Sequence, residues 1–74
     1  MNVIVKAPLK AEDIKQLLDG NEYEGYAFQF VQKSGMDMNF AVTGEGSKDV
    51  VDVVKAVIRA TDYGSALYFS IVKK

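Results

Sequence analysis

The chain has 74 residues, enough for one domain, and at that size folding hides only about 60% of the surface an unfolded chain exposes. It contains no Cys and no His, which removes disulfides, thiolate and imidazole metal sites, and histidine acid–base chemistry. Nine basic residues against ten acidic leave a net charge of −1, without the basic excess by which nucleic-acid binders neutralise phosphate.

Apolar residues make up 49% of the chain with a single Pro, which argues for a packed core rather than disorder. No apolar run approaches the ~20 residues of a membrane span. The first ten residues, MNVIVKAPLK, lack the basic, apolar and small-residue segments of a secretory leader. A cytoplasmic protein forming one stand-alone domain over residues 1–74 is expected, with no membrane contact.

In chain order, residues 2–7 (NVIVKA) are β-branched and apolar, and Pro8 bounds them as a strand. Pro8 also suits the first turn of a helix. Across residues 9–19, Ala11, Ile14, Leu17 and Leu18 fall at helical spacing, and Gly20 is placed to stop that helix. Residues 21–25 (NEYEG) read as an acidic loop.

Two alternating segments follow. Tyr26, Phe28 and Phe30 share one face, and Met36, Met38, Phe40 and Val42 share another, so the pair predicts a hairpin. A loop of Lys33-Ser34-Gly35 would set Gln32 opposite Met36, Phe30 opposite Met38, Phe28 opposite Phe40 and Tyr26 opposite Val42. That register sorts the large apolar side chains onto one face.

Residues 47–62 (SKDVVDVVKAVIRATD) are rich in valine, yet Lys48, Asp52, Lys55 and Arg59 recur at helical spacing. Ser47 is the expected N-cap, with Val50, Val53, Val54, Val57 and Ile58 as the buried stripe. Gly64 ends this segment. Residues 66–72 (ALYFSIV) alternate again: Leu67, Phe69 and Ile71 inward, Tyr68, Ser70 and Val72 outward.

The order β-α-β-β-α-β, with both helices on one face of an antiparallel sheet, predicts an α+β, ferredoxin-like βαββαβ plait of four strands in the order 4-1-3-2.

Residues 24–31, EGYAFQFV, resemble the octamer that RNA-recognition-motif proteins carry on a central strand, with Gly25, Tyr26, Ala27 and Phe28 matching. Glu24 stands at the basic position, Gln29 at the aliphatic one and Val31 at the last aromatic one. The resemblance implies aromatic rings turned outward to stack on bases. Patterning implies the opposite, because Ala27, Gln29, Asp37 and Asn39 cannot fill a core. RNA binding through the sheet is therefore the least favoured of three functional expectations, and nucleic acid is not the expected partner.

Other candidate chemistry is sparse. Residues 43–49 (TGEGSKD) could bring backbone N–H groups to a phosphate, but Glu45 and Asp49 would repel it. Asp19, Glu22 and Glu24 are the nearest approach to a cation site. Serine nucleophiles lack a histidine base. Acylphosphatases place an Arg in a Gly-rich loop after the first strand of this plait, whereas here that loop is Ala7-Pro8-Leu9 and the only Arg is Arg59. No enzyme activity, cofactor or metal is expected.

The leading expectation is a small non-enzymatic protein-interaction module, an adaptor or inhibitor that covers a basic surface of its partner. Its candidate contacts are Glu22, Glu24, Glu45 and Asp62, with Asp52, Lys55 and Arg59 on the outer face of the second helix. A homodimer through the open sheet face is also expected, with Val31, Tyr68 and Val72 as its candidate residues. The alternative of a different class is a regulatory plait that binds a small ligand near the end of the first strand.

Overall fold

The computed structural model describes all 74 residues. The elements are β1 (Asn2–Lys6), α1 (Ala11–Leu18), β2 (Glu22–Tyr23), β3 (Tyr26–Ser34), β4 (Asp37–Gly44), α2 (Val50–Arg59) and β5 (Ser70–Lys73). The fold is α+β: two helices and one antiparallel five-stranded sheet, ordered β2-β3-β4-β1-β5.

The sheet thus has five strands rather than four. Residues 21–25 are not a plain loop, because Tyr23 and Tyr26 pair across a two-residue turn of Glu24 and Gly25. Both turn residues have positive φ, 53° and 89°, as a type I′ hairpin requires. The chain enters this hairpin through Gly20 and Asn21, whose N–H and C=O bond to Phe28.

The expected register of the main hairpin is also corrected. Its turn is two residues, Gly35 and Met36, with Ser34 opposite Asp37; Gly35 has φ 62° at the first central position, as a type II′ turn asks. Phe30 stands opposite Phe40 and Phe28 opposite Val42. The ladder shifts between Phe30 and Gln32, where Val31 is the extra residue of a β-bulge. A bulge lets the turn and the core keep different registers. The large apolar residues still share one face, while Gln32 moves to the opposite side, level with Asn39.

Three helix and strand boundaries differ from expectation as well. Pro8 precedes α1, which starts at Ala11 behind Lys10 in the left-handed region (φ 63°). Asp49, not Ser47, caps α2: its Oδ1 accepts from Val51 N–H at 2.8 Å. The last strand is confined to Ser70–Lys73, with residues 61–66 in successive turns.

One core joins these elements. Val3, Val5, Phe28, Met38, Phe40 and Val42 from the sheet pack against Ile14 and Leu18 of α1 and Val50, Val53, Val54 and Ile58 of α2, all buried. Both helices therefore cover the same face, and Val57 is half-buried at the margin of the stripe.

Candidate functional site

The largest concavity is a groove of about 750 Å³ between the helices, over the end of the sheet that carries the β2–β3 turn. Leu17 of α1, Tyr23 of β2, Val53, Ala56 and Val57 of α2 and Ala60 at its C-cap make its apolar surface. Glu24, Lys48, Asp52 and Thr61 make its rim. Small side chains at Ala56 and Ala60, four residues apart on one helix face, leave the space open.

The rim is held in place by the backbone. Tyr23 Oη donates to Leu17 O at 2.6 Å, tying β2 to the C-terminal turn of α1. Tyr26 Oη donates to Lys48 O at 2.6 Å, tying β3 to the residues before α2. Three glycines let the two turns touch: a Cβ on Gly25 would lie 2.7 Å from Glu45 O, one on Gly44 would meet Gly25 O, and one on Gly46 would meet Glu24 O and the Tyr26 ring. In the sequence Gly44 and Gly46 are only the glycines of the TGEGSKD stretch; the folded chain shows them as a packing surface for the opposite hairpin.

This packing gathers Glu24 and Glu45 at one end of the molecule, with Glu22 on the adjoining strand. Glu24 pairs with Lys48 at 3.5 Å, and both side chains are half-exposed or more, so the pair is solvent-screened. Asp62 lies beyond the far end of α2 and does not join them. The α2 charges divide: Asp52 lines the groove, Lys55 is exposed away from it, and the Arg59 guanidinium lies 5.4 Å from the Phe69 ring centroid. Of the expected contacts, Glu24 and Asp52 therefore belong to the groove.

The other candidates take different places. Asp19 accepts from Phe30 N–H at 2.9 Å, and no three carboxylates converge on one point. The N-terminus of α2 is occupied by its own Asp49 carboxylate, so residues 43–49 present no free anion cradle. Within 24–31, Tyr26 and Phe28 are buried under the helices; Phe30, on the same face, is half-buried, 5.6 Å from Phe40 and beneath the Lys15 ammonium at 4.4 Å. Val31, Tyr68 and Val72 are all exposed, but Val31 is on β3 while Val72 is on β5, at the other side of the sheet. They do not form one patch.

No helix is long and apolar enough to cross a membrane. The chain matches no protein-family model, and neither the curated proteins nor the solved structures contain a significant match to it.

Proposed function

We propose that the chain is a ferredoxin-like plait with an added edge hairpin, working as a non-enzymatic protein-interaction module. The fold reading is supported by the order β3-β4-β1-β5 that remains when β2 is set aside, with both helices on one face. The functional reading is carried by one observation: an open apolar groove whose rim holds Glu24 and Asp52 against a single lysine already paired with Glu24. Such a surface suits a helical segment that lays apolar side chains along Ala56 and Ala60 and carries Lys or Arg toward the rim carboxylates.

A short amphipathic Leu/Lys helical peptide tests this directly. Titrated into isotope-labelled protein, it should move the amides of Leu17, Tyr23, Val53, Ala56 and Ala60, and the shifts should weaken with salt. Ala56→Arg, at an exposed position, should abolish them while leaving the melting temperature in place. A Leu/Glu peptide of the same design binding as well would refute the assignment.

The groove volume also falls within the range of small-molecule sites, so the second reading is a regulatory ligand bound in the groove, at the end of the sheet away from the end of β1 where the sequence reading put it. A melting temperature raised by amino acids or nucleotides, and unmoved by the peptide, would favour it. The RNA reading is the weakest, because the rings that would stack on bases are turned into the core.

A further inference from the structure

The two edges of the sheet differ in how they are closed. On one side, β2 is only two residues long, and β3 beyond it is blunted in turn by the backbone of Gly20 and Asn21, the Asp19 carboxylate on Phe30 N–H, the bulge at Val31 and Lys33. These are the devices by which sheets avoid pairing with other chains.

The β5 side is also short and ends on Lys73 and Lys74, but it has no bulge and no backbone or carboxylate group covering it. Lys74 N–H donates to Asn2 O at 2.8 Å, and the register pairs Val72 with Ile4 and Ser70 with Lys6. In an antiparallel ladder every second residue bonds to the same neighbour. Ser70, Val72 and Lys74 therefore turn their backbone groups to β1, and Ile71 and Lys73 turn theirs outward. β5 ends the sheet order, and no backbone or side-chain group bonds to that outer row. Tyr68 is 89% exposed and Val72 47% exposed beside it.

We infer that β5 pairs antiparallel with β5 of a second copy across a two-fold axis at Ile71, joining the two sheets edge to edge. Charge selects the direction. Parallel pairing would stack Lys73 on Lys73 and Lys74 on Lys74, whereas the antiparallel register separates like charges and sets Lys74 beside the exposed Tyr68 ring of the other copy, while Lys73 keeps its own partner Asp49 at 3.8 Å. Val72 then faces Ser70 across the axis. The surface is self-complementary, as a two-fold interface must be. The groove is lined from α1, the β2 hairpin and the opposite flank of α2, so the pairing leaves it open and does not depend on the groove's ligand.

Sedimentation of the full chain at tens to hundreds of micromolar should give twice the 8.2 kDa chain mass. Lys73→Pro removes an outward N–H and, within the chain, only the exposed ion pair of Lys73 with Asp49, and should return the mass to a monomer; Lys73→Ala, which loses the same ion pair but keeps the N–H, should remain dimeric. The chain has no cysteine, so register is read separately. Under oxidation, a mixture of Ser70→Cys and Val72→Cys chains should form a crosslinked dimer, and neither variant alone should do so to the same extent. A monomeric wild type, or a dimer that survives Lys73→Pro with no crosslink in the mixture, overturns the inference. If Lys73→Pro does not fold, the crosslink decides. Ala56→Arg should leave the dimer intact, which separates this result from the fate of the groove.

Discussion

Glu24 holds φ at 53°, in a region that costs a residue with a Cβ roughly 1–2 kcal/mol, and a type I′ turn prefers Asn there. Glu24→Asn should therefore stabilise the protein by about 0.5–1 kcal/mol, a rise of roughly 3–6 °C in melting temperature. The lost pairing with Lys48 will offset little of this, since that pair is exposed. The glycine opposite behaves inversely. Gly46→Ala drives a methyl group into Glu24 O and the Tyr26 ring, and should destabilise by about 1–3 kcal/mol in denaturant unfolding. The acidic residue at the lip of the groove thus occupies a strained backbone position that the surrounding glycines hold in place.

At the scale of single elements, the start of α2 offers a discriminating test. Ser47 and Asp49 are both good capping residues by type, and sequence spacing alone does not choose between them. The observed bond from Val51 N–H to Asp49 Oδ1 assigns the role to Asp49. Asp49→Ala should cost about 1 kcal/mol in chemical denaturation, and Ser47→Ala almost nothing. The main hairpin shows a related ambiguity. Face sorting correctly put Phe28, Phe30 and Phe40 on one side, because alternation is a local property of each strand. It did not find the turn, because a bulge at Val31 changes register without disturbing the apolar face, and no residue type marks it.

For the molecule as a whole, one core carries the stability. Phe40 is fully buried in the middle of it, between β1 and β3. A domain of this length has about 4–11 kcal/mol of folding free energy, and Phe40→Ala removes about 3–5 of it. That variant should be largely unfolded at 37 °C by circular dichroism. The groove and the β5 edge can each be altered at exposed positions, Ala56 and Lys73, without removing a buried group. A dimer through β5 would also display two grooves on one face, so a partner bearing two basic amphipathic segments should bind more tightly than either segment alone.

Hydrophobic periodicity determined the α+β class, two amphipathic helices and the inward face of each long strand, and composition alone excluded histidine and thiol chemistry, since each of these depends on residue type and local spacing. The site was legible only in fragments: Glu24 and Asp52 as exposed carboxylates, Tyr68 and Val72 as outward-facing residues. Their assignment to separate surfaces came from contacts between segments far apart in the chain, such as Gly46 against Glu24, Tyr26 against Lys48 and Lys74 against Asn2. Such contacts are set by how whole elements pack, and no local pattern encodes them.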